Sequence, residues 1–421
     1  MIDKILYKNA LTYVIGNVSL QSIPFLLLPI LTHYLTPEEY AIITTFNIVV
    51  GILMIILGFN SVGFISVEFF KCTQIQINIY KNTYTVLLVV STLIILIIAN
   101  IVQFIFPLQL LLPFKWINIA IIVSFFNLII GLKLLLLQFE KKAISYVIIQ
   151  LAVMLINMVG TVILITIFNM NYEGRLLSAI IASTVMGILT CILLFDKSTL
   201  FSYDRTKIKS LLAFGIPLIP HKASKWARGG LDKILLLILV GAHSTGIYSV
   251  GYTLSLAMWV LVSSIDKAYT PYLFEKLNNE RSVDKFKVVK LTYKYFIILF
   301  IIWLIMNFFL NYTLVYIIGK EYLECKKYII WLSLGFVFHG MYLAITNFII
   351  FTKKTYILSI ISVFSTVIYL LLAYLLIKIY GTIGAAIATP IAYFITFILS
   401  FYYANKVFPM PWNLTILSND T

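Results

Sequence analysis

Apolar runs of roughly 18 to 25 residues recur from one end of the chain to the other, each long enough as a helix to cross about 30 Å of hydrocarbon. They are separated by short polar stretches, and they predict membrane spans near residues 10–33, 40–65, 83–106, 117–138, 146–169 and 176–195. A second set follows near 210–240, 246–270, 292–318, 327–350, 356–377 and 381–404. A transmembrane β-barrel is excluded, because its strands would alternate polar and apolar residues over segments of about 10. The expected fold class is therefore an all-α integral membrane protein with about 12 transmembrane helices.

The polar connections orient these spans. With the N-terminus inside, the inner segments hold 19 basic residues and the outer connections only Lys115, Arg175, Lys320, Lys326, Lys327 and Lys378. That asymmetry places both termini in the cytoplasm. The basic connection 196–209 divides the chain into two sets of six spans, giving an expected N-terminal lobe over 1–200, a C-terminal lobe over 201–404 and a cytoplasmic tail over 405–421. A shift of 205 residues lays "TPEEYAII" (36–43) over "AHSTGIY" (242–248) and "VEFFK" (67–71) over "YLFEK" (272–276), which suggests duplication. Repeats with an even number of spans share one orientation, and a central cavity between the two lobes is the expected consequence.

Composition narrows the chemistry. Of the 421 residues 62% are hydrophobic and 11% charged, against about 25% charged in soluble domains. The net charge of +15 sits mostly in the connections, so it raises no nucleic-acid partner. Cys72, Cys191 and Cys325 form neither a disulfide framework nor a metal spacing, and His33, His221, His243 and His339 are equally scattered. No G-x-x-x-x-G-K-[ST] loop occurs, so hydrolysis of ATP by that route is excluded and no cofactor is expected. The first apolar run follows Lys4 and Lys8 but is too long, and lacks the cleavage site, for a removable signal peptide.

The seventh run, "SLLAFGIPLIPHKASKWARGGLDKILLLILV" over 210–240, is the most informative. Its apolar ends, 211–220 and 234–240, reach only about 15 Å and 10 Å, so the whole stretch must span. Lys222, Lys225, Arg228, Asp232 and Lys233 then lie near mid-membrane. With His221 they fall within an arc of roughly 140°. Each charge costs about 2.5–3.5 kcal/mol at a helix centre, so this face is expected to meet water or a polar cavity. Arg228 and Asp232 are spaced to pair; the excess of cations invites an anion. Pro217, Pro220, Gly229 and Gly230 predict bending or segmentation. An alternative reading lays 210–228 on the cytoplasmic surface as a basic segment on anionic lipid.

Weaker signals lie elsewhere. Asp266 and Lys267 mark the inner end of the eighth span, and Glu68 that of the second. Lys133 lies deep in the fourth span without an acid in its own helix, as a cavity candidate. Asn9, Asn17, Gln21, Asn47 and Asn60 suit interhelical hydrogen bonds.

The segments "FGIPLIPHKASKWARGGLDKILLLILVGAHSTGIYSVGYTLS" (214–255), "LTHYLTPEEYAI" (31–42) and "AYTPYLFEKL" (268–277) resemble the bacterial polysaccharide flippases that export O-antigen or capsule repeat units. These belong to the superfamily that also holds the multidrug and toxin extrusion transporters. The specific features are the Phe-Gly-x-Pro-x-x-Pro opening, the later Asp-Lys and the Gly-x-Tyr after the outer turn. Ala41 and Lys233 depart from the family's usual Gly and Arg. The resemblance implies two six-helix lobes alternating between inward-open and outward-open states in the bacterial inner membrane. It also implies a substrate of oligosaccharide linked by diphosphate to undecaprenol. On that reading Lys222, Lys225 and Arg228 bind the substrate anion with Lys133 in support. Asp232, Lys233 and Asp266 serve in coupling or charge pairing. The expected partners are the lipid-linked oligosaccharide, membrane lipids and other polysaccharide-assembly proteins. A proton or sodium gradient is one energy source, and consumption of the product downstream is another. A multidrug exporter of the same superfamily is the alternative, disfavoured by the basic face. A membrane-embedded glycan polymerase is disfavoured by the short outer connections, as it is no enzyme that the resemblance implies.

Overall fold

A computed structural model of the protein describes residues 22–105, 112–194, 204–278, 285–352, 354 and 356–412. Lys4, Lys8, Asn9, Asn17, Gln21, Lys197, Arg281 and Lys353 lie outside the described residues, as do the expected lobe boundary at 200 and the tail from 413 onward. The described residues form helices and turns throughout. The protein is an all-helical, multi-pass integral membrane protein, and ten of its described helices are long and apolar enough to cross a membrane. Cα packing divides it into two compact units, Met1–Trp226 and Ala227–Thr421.

The first unit contains α1 (Ser22–Tyr34), α2 (Pro37–Gly58), α3 (Val62–Glu68), α4 (Gln74–Ile105), α5 (Phe114–Phe139), α6 (Ala143–Thr166), α7 (Asn171–Leu194) and α8 (Arg205–Gly215). The start of α2 is set locally. Thr36 accepts a hydrogen bond from the Glu39 backbone N–H, the Glu39 carboxylate accepts one from the Thr36 N–H, and Pro37 occupies the first turn, where its missing donor costs nothing. The helix ends in two left-handed residues, Phe59 (φ 46°) and Asn60 (φ 51°), which turn the chain into α3. That turn is also a docking point. A Cβ on Gly215 would collide with the Phe59 carbonyl oxygen, so only glycine lets the end of α8 approach so closely. Phe214 packs edge-on against Phe64, and Leu211 is fully buried. α8 is thus held on α3 and α4.

The sequence expectation of a break near the prolines holds at Pro217, where Ile216–Leu218 forms a single 3₁₀ turn. No break occurs at Gly229 and Gly230; α9 (Ile219–Leu239) is continuous through both. Proline removes a backbone donor and clashes, whereas a helical glycine costs only about 1 kcal/mol. The division between the units falls inside α9.

The second unit contains the rest of α9 with α10 (Ala242–Asn278), α11 (Lys285–Ile317), α12 (Lys326–Phe351), α13 (Tyr356–Tyr380) and α14 (Thr382–Val407). Gly241 (φ 117°) ends α9, donating its N–H to the Leu236 carbonyl. The core lies around α12, where Val337, Ala344, Ile345 and Ile349 meet Val262, Leu273, Val289 and Leu299. α12 packs on α10, α11 and α14, and α13 packs on α14. In the first unit α5 packs likewise on α2, α4 and α7, and α6 on α7. α2, α4, α5, α6 and α7 therefore pack among themselves as α10, α11, α12, α13 and α14 do. Outward faces carry exposed isoleucine, leucine and phenylalanine, as on α4 (Ile97, Ile101, Phe104) and α13 (Val367, Leu371, Leu375), which suits contact with lipid.

Candidate functional site

The charges of α9 do not form one uniform wall; they separate into three environments. Lys222 and Lys225, in the first unit, are exposed and make no ion pair with a described residue. Between them and the next turn, Trp226 donates from its indole N–H to the Ile48 carbonyl at 2.9 Å and lies against Gly51. This contact fixes the rotation of the first half of α9 against α2.

Arg228, in the second unit, is half-buried and is gripped by α13. Its Nε donates to the Thr366 hydroxyl at 2.8 Å, and its Nη2 donates to the Ser362 carbonyl at 2.7 Å and the Ser362 hydroxyl at 2.9 Å. All three acceptors are uncharged, so none of them is a counter-ion to the guanidinium. Around it lies a polar seam that charge-based reading missed. On α13, Ser362, Ser365, Thr366 and Tyr369 recur at helical spacing and are buried. On α14, the buried Thr389 and Thr396 and the half-buried Tyr393 recur at i, i+7 and i+4. Arg228, Ser365, Tyr369, Ala392, Tyr393 and Thr396 enclose a space of about 10 Å³, room for roughly one water. The signal was present in the sequence as hydroxyl residues on one face of each apolar helix.

Asp232 and Lys233 are sealed in the core, at 0% and 4% exposure. The Tyr248 hydroxyl donates to Asp232 Oδ2 at 2.6 Å, and Lys233 Nζ lies 3.5 Å from Oδ1. Lys233 also donates to the Gly229 carbonyl at 2.8 Å and sits 3.4 Å from the centre of the Tyr252 ring. The i, i+4 pairing of Arg228 with Asp232 expected from spacing is not made. The adjacent lysine and a tyrosine from α10 take the carboxylate, while serine and threonine on α13 take the guanidinium. The pair is closed to water in this conformation, contrary to the expectation that the whole charged arc faces a polar cavity.

The remaining sequence candidates are dispersed. Lys133 on α5 donates to the Leu193 carbonyl at 2.8 Å, and Lys81 on α4 donates to the Leu194 carbonyl. Two lysines thus meet the negative end of α7, a role that needs no acid in their own helices. Asp266 on α10 accepts from Thr270 at 3.4 Å, and Thr270 accepts from the Asn347 amide of α12 at 2.9 Å; Lys267 is exposed. Glu68 pairs with Lys71 at 3.1 Å. Among the described residues no group of three or more His, Cys, Asp and Glu side chains could hold a metal ion. On α9 and the faces of α13 and α14 turned to it, the described residues bring together the Arg228 cation and serine, threonine and tyrosine hydroxyls.

Known proteins give this geometry a context. Residues 6–277 match the family model described as polysaccharide biosynthesis protein. The chain is 28% identical over 402 residues to an Lsg locus protein of Haemophilus influenzae, covering 93% of this chain and 98% of that one. It is 28% identical over 215 residues to the capsular polysaccharide biosynthesis protein CapF of Staphylococcus aureus, covering 49% and 53% of the two chains. Its fold resembles the lipid II flippase MurJ in an inward closed conformation, with a TM-score of 0.67 at 16% identity over 95% of this chain and 87% of that one. A multidrug resistance MATE family transporter in an inward-facing conformation gives the same score and identity, over 92% and 94%. The chain belongs to the polysaccharide biosynthesis protein family and has the transporter fold of the MATE and MurJ proteins.

Proposed function

We propose that this member of the polysaccharide biosynthesis family is a flippase, moving undecaprenyl-diphosphate-linked oligosaccharide repeat units across the bacterial cytoplasmic membrane by alternating access. The product would feed assembly of O-antigen or another surface polysaccharide. The observation that carries the reading is the charge balance of α9. Asp232 and Lys233 neutralise each other in the core, which leaves Lys222, Lys225 and Arg228 with no acid among the described residues. Three uncompensated cations on a membrane helix favour an anionic cargo, and diphosphate supplies one. Arg228 offers a planar fork and the lysines mobile point charges. The polyprenyl tail would stay in lipid while the charged head follows the cations. In this reading Asp232 and Lys233 act as a charge pair that holds α9, and the termini face the cytoplasm.

The shared fold with multidrug transporters supports a second reading, export of drugs, but cationic drugs would need an acidic binding face, and α9 presents the opposite sign. The deciding experiment replaces Lys225 and Arg228 together by Gln in cells whose surface glycan depends on this protein. Export should fall at least tenfold with the protein normally inserted. Full export by the double variant would refute the assignment of these cations to the substrate.

A further inference from the structure

In the first unit, Arg175 carries a charge that no carboxylate answers. Its Nη1 donates to the Asn157 side-chain oxygen and, at 3.4 Å, to the Thr161 hydroxyl, both on α6 and both uncharged. The nearest acid in sequence, Glu173, is engaged by Lys115 of α5 at 2.7 Å. The other electrostatic neighbour is the Tyr40 phenol of α2. Among the described residues, no carboxylate lies within ion-pairing distance of Arg175.

The side chain is half-buried and turned to α6, where both of its partners lie. At about 100° per residue, the exposed Ile181, Val185, Ile188 and Ile192 lie roughly 220–280° around α7 from it. The buried Ala182, Met186 and Thr190 lie within about 60°, as do the exposed Leu189 and Leu193 in the last two turns, so this face of α7 is closed near Arg175 and open only toward the far end of the helix. Both of these bonds use Nη1, so the Nε/Nη2 edge, the fork that grips an oxyanion side-on, makes no hydrogen bond to a described residue. Arg175 also sits in the second turn of α7, near the helix end whose unpaired amides favour negative charge. Asn157 and Thr161 hold one nitrogen still and leave the other edge without a partner among the described residues, as a receptor for an anion would require.

We propose that Arg175 binds phosphate, its Nε/Nη2 edge taking one phosphate of the lipid diphosphate at the end of the crossing read as outer, apart from the cations of α9. This substrate assignment rests on the flippase reading; the phosphate chemistry does not. A phospholipid headgroup carries the same group, so the test separates the two sources. The purified full chain in detergent is titrated with farnesyl diphosphate, with phosphatidylglycerol and with farnesol, and thermal stabilisation is read for each.

Arg175→Gln should weaken the farnesyl diphosphate response about 10-fold to 100-fold, the scale of a lost charge-assisted pair. Arg175→Lys should recover part of it. Asn157→Ala should lower the melting temperature yet keep most of the response, because the fork remains. An unchanged response in Arg175→Gln overturns the proposal. So does an equal loss in Asn157→Ala and Arg175→Gln, which would mean that Arg175 only joins α6 to α7. Dependence on Arg175 with phosphatidylglycerol alone upholds the phosphate site and overturns its link to the substrate. A parallel Arg228→Gln arm keeps the two readings apart: loss of diphosphate binding there, with none in Arg175→Gln, sinks this inference and leaves the flippase reading standing.

Discussion

Replacing Lys233 by Met should be among the most destabilising single changes in the second unit. The ammonium it removes is 4% exposed, and the carboxylate it abandons is wholly buried, with the Tyr248 hydroxyl as its remaining hydrogen-bond donor. Breaking a buried ion pair from one side costs about 3–5 kcal/mol, because the surviving charge is left in a low-dielectric core. Asp232→Asn should cost less, roughly 2–3 kcal/mol. The amide still accepts from Tyr248, and the ammonium keeps the Gly229 carbonyl and the Tyr252 ring. The double variant removes both charges while Asn preserves the tyrosine bond and Met fills the space of the lysine stem, so it should be less damaged than either single. Thermal unfolding of the purified protein in one detergent should rank wild type first, then the double variant, then Asp232→Asn, then Lys233→Met. The resulting coupling would be about 3 kcal/mol or more, large for neighbouring residues. A double variant at least as damaged as the sum of the singles would refute the closed-pair reasoning. A double variant that folds and inserts normally yet exports nothing would show that the pair does more than hold α9.

Two further outcomes follow from local geometry. Gly215→Ala should destabilise the protein by about 1–3 kcal/mol, since the new methyl meets the Phe59 carbonyl and α8 must shift; protease protection of the 204–226 segment should fall with it. Asp204 caps α8 by accepting from the Thr206 N–H and hydroxyl, and these bonds hold its pKa below the ordinary carboxylate value. A depressed folded-state pKa contributes stability that is present above the unfolded value and lost as pH falls through the folded one. Hydrogen-exchange protection factors at the start of α8 should therefore be high at pH 6 and fall below about pH 4, and Asp204→Ser, which caps without titrating, should abolish that acid dependence.

The helices were legible because lipid demands long apolar runs, and nothing about α5 or α12 needs more than their own residues to be recognised. Their ends were less so: α4, α10 and α11 run past the expected spans at Gln74, Asn278 and Lys285, because charged turns continue a helix beyond the hydrocarbon. The site was legible only as a set of angles. A helical wheel puts Lys225, Arg228 and Asp232 on one arc, but the partners of Arg228 and Asp232 come from Ser362, Thr366 and Tyr248, and the wheel carries no record of which helix stands opposite. Lys133 was singled out because its own helix holds no acid, whereas its partner is a backbone carbonyl of α7 that no pattern of side chains could announce. Arg175 was counted among the charges of a connection, since its place near the start of α7 hides the side of the helix to which it turns.

The grip of α13 on Arg228 has a consequence for how the chain is made. The two residues that meet, Arg228 and Thr366, are 138 positions apart. At a synthesis rate of about 5–20 residues per second, the guanidinium emerges roughly 7–28 s before its acceptors exist. During that interval Tyr248 can reach Asp232 within seconds, but nothing from α13 can cover the arginine. Until α13 is made, Arg228 on α9 lacks every acceptor it holds in the folded chain, and a chain interrupted between the two helices leaves that cation without them.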